Sequence, residues 1–336
     1  MVESQCPNVL KNDLIEKLSE GTTIIFGGSG SLGSAIINRW LNPTCKIINV
    51  SRGEEKQWLL KDSINKSYLA NFEQVIGDIS NEQDVKDVLF RYKPTTILVA
   101  ACLKHVDICE KHPSKAVQNN YIGLLNIQHV IMGMDQKPKT VLFISTDKAC
   151  NPITTYGYSK ALGESLILNS PKKDTVYLGI RYGNVLNSSC SIIPLLTKVN
   201  QQGGELNLTD ISMTRFIMTI EQSINLIEYA ILYGSHSEII VPYLYSMKIS
   251  ELFELFSNGK PITITGLRCK EKIHEDLISD SESGYCYESV NKKYIHITDQ
   301  KQIEHKVNKF DSSINNLPIL ELASFLTDQG YLPKKL

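Results

Sequence analysis

The chain has 336 residues, 35 basic and 36 acidic side chains, and a formal net charge of −1. It is long for one simple domain, and its near-neutral charge, with no Lys/Arg block, gives nucleic-acid binding no support. Eight scattered cysteines show neither a Cys-x-x-Cys pair nor zinc spacing, so they read as reduced thiols, with no metal implied. The first five residues, Met1 to Gln5, lack the basic start and apolar core of a signal peptide. No apolar run approaches the roughly 20 residues that span a bilayer. The expectation is a soluble, cytoplasmic protein with no membrane partner.

Residues 1–20 read as a short helical lead-in, with Leu10, Leu14 and Leu18 as contacts. Residues 22–26 form an apolar strand, followed by Gly27-Gly28-Ser29-Gly30-Ser31-Leu32-Gly33 and a helical run through Leu41. Glycines between a strand and a helix permit a tight turn and a close backbone approach to a pyrophosphate, with the helix N-terminus pointing amides at the anion. Gly27, Gly30, Ser31, Leu32 and Gly33 are therefore candidate dinucleotide contacts. A second strand, 45–50, ends in Ser51-Arg52 without the Asp or Glu that usually holds an NAD ribose. A hydroxyl followed by a guanidinium suits a 2′-phosphate, which favours NADP. The bland alternative is a solvated charge, since Glu54, Glu55 and Lys56 follow.

The third strand begins at Phe72 and exits through Asp78 and Ile79. Asp78 either accepts a hydrogen bond from an adenine amino group or caps the helix starting near Asn81. The fourth strand, 96–101, ends in Ala100 and Ala101, small enough to leave room for a cofactor. Lys104 is a candidate contact to cofactor or substrate; His105 is read as a packing or loop residue. The helical run from Pro113 carries Asn119 and Asn120; one of these amides is expected to steady the catalytic strand, and Asn120 is taken as a cofactor contact.

Val141-Leu142-Phe143-Ile144 reads as a buried strand. It delivers Thr146, Asp147 and Lys148 to its carboxyl end, where open α/β sheets bind ligands. Tyr156 and Lys160 lie four apart, on one helix face. An ammonium beside a phenol favours the phenolate, giving a base for a sugar hydroxyl. Residues 174–185 read as a sixth strand and its exit, and 238–242 as a strand returning to the sheet. The expected fold is α/β: a Rossmann-type doubly wound parallel sheet with a smaller interleaved C-terminal substrate-binding lobe. The expected division is 1–185 for the cofactor and mainly 186–336 for the substrate.

With these segments in order, the chain resembles the extended short-chain dehydrogenase/reductases. Within them it is similar to the inverting UDP-N-acetylglucosamine 4,6-dehydratases of the CapD/PseB group. The resemblance rests on 27–33, Leu103-Lys104-His105, 145–149 with Asn151-Pro152, Tyr156-Gly157 with Ser159-Lys160, and 181–185. It continues through Thr-Asp-x-x-Met-Thr-Arg-Phe (209–216), Ser-Met-Lys (246–248) and Gly-x-Arg-x-x-Glu-Lys-x-His-Glu (266–275). The resemblance implies bound NADP, a UDP-sugar substrate, a homo-oligomer and a redox-neutral cycle. It assigns Tyr156 to the 4-hydroxyl proton, Lys160 to the nicotinamide ribose and to lowering the Tyr156 pKa, and Thr146 to the 4-oxygen. Lys148 becomes the candidate base at C5, and Asp147 the acid at the departing 6-hydroxyl. Thr209, Met213, Asn184, Arg215 and Arg268 fall on substrate-holding segments, and Glu271 on a ribose contact.

Three departures stand out. Asn187-Ser188-Ser189-Cys190-Ser191 replaces a Gly-Ser-Arg-Gly-Ser segment, Cys269-Lys270 replaces Pro-Gly, and Phe310 replaces a Tyr. Lys270 could restore the missing charge. The competing readings are a UDP-hexose 4-epimerase, a retaining 4,6-dehydratase, and a non-catalytic NADP-binding scaffold on the same fold.

Overall fold

The computed structural model describes residues 7–172, 174–186, 188, 191–202, 204–302 and 307–333. Asn187, Ser189 and Cys190, and the side chain of Leu10, lie outside the described part. Among the described residues, no helix is long and apolar enough to cross a membrane.

Six strands come first: β1 (Thr22–Phe26), β2 (Lys46–Ser51), β3 (Phe72–Ile76), β4 (Thr96–Val99), β5 (Thr140–Ile144) and β6 (Val176–Ile180). Then follow β7 (Asn184–Val185), β8 (Leu206–Leu208), β9 (Thr214–Met218), β10 (Glu238–Pro242) and β11 (Ser246–Lys248). The last are β12 (Ile262–Ile264), β13 (Asp276–Ile278), β14 (Cys286–Glu288), β15 (Tyr294–Ile297) and β16 (Phe310–Asp311). The main sheet has nine strands in the order β14-β15-β10-β6-β5-β4-β1-β2-β3. From β3 to β10 the pairings are parallel; β15 and β14 extend the sheet antiparallel.

Successive strand residues face opposite sides. Ile24 and Phe26 join one apolar cluster while Ile25 joins the other, and Val141 and Phe143 likewise alternate with Leu142 and Ile144. Helices cover both faces. Gly33, Ile36, Ile37 and Trp40 form the buried stripe of helix Ser31–Trp40. Leu14 and Leu18 of the lead-in helix are buried in the same layer. The Rossmann-like α/β reading therefore holds. A third apolar cluster, including Met213, Leu252, Phe256 and Leu322, is built from residues beyond 185.

The strand at 238–242 returns to the sheet as expected, and β14 and β15 are added beyond it from still later residues. Two details differ from the sequence reading. The proposed sixth strand breaks at 181–183, and Asn184–Val185 pairs instead with β9 in a separate small sheet. Gly183 makes that crossing possible, since a Cβ there would stand 2.4 Å from Cβ of Phe216. The helical run from Pro113 contains a π-helical turn at Gln118–Ile122 before continuing as Gly123–Met132. Such turns recur at functional sites.

Candidate functional site

Two adjoining clefts open at the carboxyl ends of the parallel strands, of about 540 and 490 Å³. Gly27, Gly30, Ala100 and Cys102 line both. Gly27 has φ +87°, and a Cβ there would stand 2.6 Å from the Ala101 backbone nitrogen, so a side chain is excluded on both counts. Helix Ser31–Trp40 is N-capped by Gly30, which offers no side-chain oxygen. A pyrophosphate oxygen fits that end of a helix. Ser31, Leu32 and Gly33 line the second cleft, as expected.

Ser51, Arg52, Asp78, Ile79, Ala100 and Ala101 line the first cleft. The Ser51 hydroxyl donates to Asn49 Oδ1 at 2.9 Å and accepts the Ser29 N–H at 3.3 Å. Arg52 Nη1 reaches Asp78 Oδ2 at 3.3 Å. The other Asp78 oxygen accepts the N–H and the hydroxyl of Ser80, both at 2.8 Å. Burial pushes the Asp78 carboxyl up, but the Ser80 hydrogen bonds and Arg52 outweigh it and hold it below its ordinary value. The helix that follows is capped by Asn81, whose Oδ1 accepts the Gln83 N–H at 3.0 Å, so Asp78 is not the cap. Lys56, passed over in the sequence as a solvated charge, lines both clefts.

Asn120 is buried in the π-helical turn, and Asn119 lines the first cleft. The Asn120 amide accepts the Leu103 N–H at 2.8 Å, donates to the Leu103 carbonyl at 3.0 Å and donates to Ser159 Oγ at 2.9 Å. It ties the loop after β4 to the helix carrying Tyr156.

That helix, Thr155–Leu168, buries Tyr156 and Lys160 on one face and is capped by Thr154, whose hydroxyl accepts the Gly157 N–H at 3.1 Å. Tyr156 is hydrogen-bonded to Thr146. Burial pushes its phenol well above the ordinary value, with the nearby Cys102 adding to the effect. This is the opposite of the lowering expected from Lys160. The Lys160 ammonium is itself buried, is pushed below its ordinary value by that burial, bonds the Ile144 carbonyl and sits 4.1 Å from the Phe143 ring centroid. Desolvation of both groups outweighs their i, i+4 spacing.

Thr146 Oγ1 donates to Asp147 Oδ1 at 2.9 Å, and Lys148 Nζ donates to the same oxygen at 3.1 Å. Lys148 also lies 3.3 Å from Glu275 Oε1. Burial opposes the Lys148 charge, yet Asp147 and Glu275 outweigh it and hold the ammonium above its ordinary value. Lys104 and Asn184 line this second cleft, and among the described residues the buried Asn184 Oδ1 has no hydrogen-bond partner. His105 and Tyr182 line it too.

The remaining substrate candidates are placed otherwise. Arg215 donates to the carbonyls of Thr214 at 2.7 Å, Ile273 at 3.0 Å and Lys272 at 3.0 Å, so most of its fork is spent on backbone. Thr209 bonds Met213 Sδ at 3.8 Å, and Met213 is buried in the third apolar cluster. Arg268 and Glu271 close their own loop, the Glu271 carboxylate accepting the Arg268 N–H at 3.1 Å. None of these five lines either cleft. Lys270 does not supply charge to the site, since its ammonium donates to Glu110 at 2.8 Å.

A family model described as polysaccharide biosynthesis protein matches residues 23–298. The chain belongs to that family. It is 35% identical over 274 residues to a UDP-glucose 4-epimerase of Rickettsia prowazekii, covering 78% of each chain. It superposes on the X-ray structure of Pen from Bacillus thuringiensis with a TM-score of 0.85 and 27% identity, covering 93% of this chain and 98% of Pen. The dTDP-glucose 4,6-dehydratase DesIV of Streptomyces venezuelae, solved with NAD bound, shares the fold at TM-score 0.64 and 18% identity, over 75% of this chain and 86% of DesIV. The chain is thus a nucleotide-sugar epimerase/dehydratase family member.

Proposed function

We propose that this protein is an NADP-dependent, inverting UDP-N-acetylglucosamine 4,6-dehydratase. One observation carries the choice: Asp147 and Lys148, hydrogen-bonded at 3.1 Å, sit beside Tyr156 in one cleft. Loss of water from C5 and C6 needs one group to take a proton and another to give one. Tyr156 and Thr146 serve the 4-oxygen. A bound nicotinamide would supply the hydride chemistry at C4 and C6, with Gly27, Gly30 and Ser31 at its diphosphate and Arg52 with Lys56 at a 2′-phosphate.

The Lys148 ammonium lies 3.1 Å from Asp147 and 3.3 Å from Glu275, two carboxylates that favour its protonated form, so it is the member of the pair with a proton to give. That favours Lys148 as the proton donor of the pair and Asp147 as the acceptor, the reverse of the order the resemblance implies. On this reading Asp147 takes the C5 proton, the 6-hydroxyl leaves as water with the Lys148 proton, and C5 takes a solvent-derived proton on the opposite face, giving a sugar of the L series. Residues up to 185 serve mainly the cofactor and later ones mainly the substrate; Asn184, just before that boundary, serves the substrate.

The test is incubation with UDP-N-acetylglucosamine in D₂O, read early by mass spectrometry and NMR. The expected product has lost one water, carries one solvent deuteron at C5 and has the L configuration. A D-configured product points to the retaining course. The names of the Rickettsia relatives favour a second reading, a UDP-hexose 4-epimerase. It needs Tyr156 and Lys160 but leaves Asp147-Lys148 without a task. An epimerised product of unchanged mass and no deuterium at C5 decides for it.

A further inference from the structure

Glu275 is 4% exposed and comes from the far lobe, one residue before β13. Its Oε1 lies 3.3 Å from Lys148 Nζ and 3.8 Å from Arg215 Nε, and its Oε2 lies 3.8 Å from Lys272 Nζ. Among the described residues Oε2 has no hydrogen-bond partner. A buried carboxylate is costly unless paired, so its place beside the reacting lysine is held by the surrounding structure. The Glu275 N–H donates to Ser312 Oγ at 2.9 Å, and its carbonyl accepts the Ser312 N–H at 2.8 Å. Ser312 is fully buried and in turn bonds Thr214. Lys272 is occupied by the Cys150 carbonyl at 2.8 Å, and Arg215 by three backbone carbonyls. Lys148 is therefore the cation that Glu275 is best placed to serve.

We propose that Glu275 is a positioning residue of the reacting site, holding the Lys148 ammonium against Asp147 and keeping it protonated. The proposal rests on the reading that Lys148 acts at the sugar. Glu275 brings the C-terminal lobe into the chemistry, because the lysine is in place only when the 272–276 segment is seated. The charged groups around it are Asp147 and Lys148 after β5, Arg215 on β9, Lys272 and Asp276 on its own segment, and Lys309 beside Asp276. His274 faces Thr214 rather than Lys148.

The test uses the full chain and the variants Glu275→Gln and Glu275→Asp. Lys148 is labelled with acetic anhydride across a pH series and read by peptide mass spectrometry, alongside kcat, KM and thermal melting. In Glu275→Gln the labelling midpoint should move to lower pH, because a carboxylate that favours the ammonium is gone. The kcat should fall at least ~30-fold with KM within about threefold, the pattern of lost transition-state help rather than lost binding. Glu275→Asp, which keeps the charge but draws it back, should move both readouts the same way by less, and it decides the matter if the Gln variant does not fold. An unchanged labelling midpoint in a folded variant, or an unchanged kcat, overturns the proposal. If the wild type only epimerises, the dehydratase reading fails and the catalytic part of the proposal is overturned with it, while the labelling shift alone decides whether Glu275 holds the Lys148 ammonium.

Discussion

Gly157 faces the backbone carbonyl of Lys148 so closely that a Cβ there would stand 2.3 Å from the oxygen. Helix Thr155–Leu168 thus packs directly on the turn that presents Asp147 and Lys148. In an open helix, Gly→Ala stabilises by roughly 0.5–1 kcal/mol. Here the sign should reverse. Gly157→Ala is expected to destabilise by about 1–3 kcal/mol, as overpacking does, and to lower kcat. Urea denaturation checks it; a stabilised variant would remove the close contact from the account.

Lys148→Ala should stop dehydration while leaving nucleotide and UDP-sugar binding largely intact. Loss of a group that transfers a proton in the rate-determining barrier costs about 10²–10⁴ in rate. KM should change little. Steady-state kinetics and ligand titration separate the two effects, and a large rise in KM alone would make Lys148 a binding residue.

Arg181 donates to Glu164 Oε1 at 3.0 Å and to Glu282 Oε1 at 2.7 Å, behind the reacting turn. Arg181→Ala would strand the two carboxylates and should cost about 3–5 kcal/mol. Burial pushes the Glu282 carboxyl up, but Arg181 outweighs it and lowers it from 4.5 to about 2. A lowered carboxyl pKa gives stability that is present above the unfolded value and lost as pH falls through the folded one. The stability gap between the wild type and Glu282→Gln should therefore close as pH falls from 4.5 to about 2. Chemical denaturation at three pH values in that window tests it; a constant gap would contradict the pairing.

Arg52→Ala should weaken NADP more than NAD, by roughly 10–100-fold, the range for losing one charge-assisted contact. The Arg52–Asp78 bond at 3.3 Å places the guanidinium at the rim of the first cleft. Identifying the nucleotide released on denaturation gives a second check. Mostly NAD, with NADP affinity unchanged in Arg52→Ala, would count against the 2′-phosphate assignment.

The parallel strands were legible in the sequence because strands buried on both faces leave continuous apolar runs. The glycine turn, the Thr146-Asp147-Lys148 turn and the Tyr156/Lys160 face were legible because each is local. Glu275 was not. It closes the 266–275 segment, and nothing local shows that the chain returns it to the end of β5. The bonds by which Asn120 ties Leu103 to Ser159 were not legible, because they join segments distant in the chain. Lys270, at φ +61°, sits in a left-handed position that glycine fills more easily, and its charge is spent on Glu110. Arg215 falls on a substrate-holding segment by resemblance; only tertiary structure shows its hydrogen bonds going to backbone.

The late arrival of β10, β14 and β15 has a consequence for synthesis. A ribosome that has delivered residues up to 237 has made six of the nine strands of the main sheet, and β6 still has an open edge. Unpaired edges invite association with other chains. The nascent protein must therefore keep that edge covered, or reach Ile297 quickly, before the sheet is complete. Truncation just after the sixth strand would yield a sticky fragment rather than a free-standing cofactor-binding half.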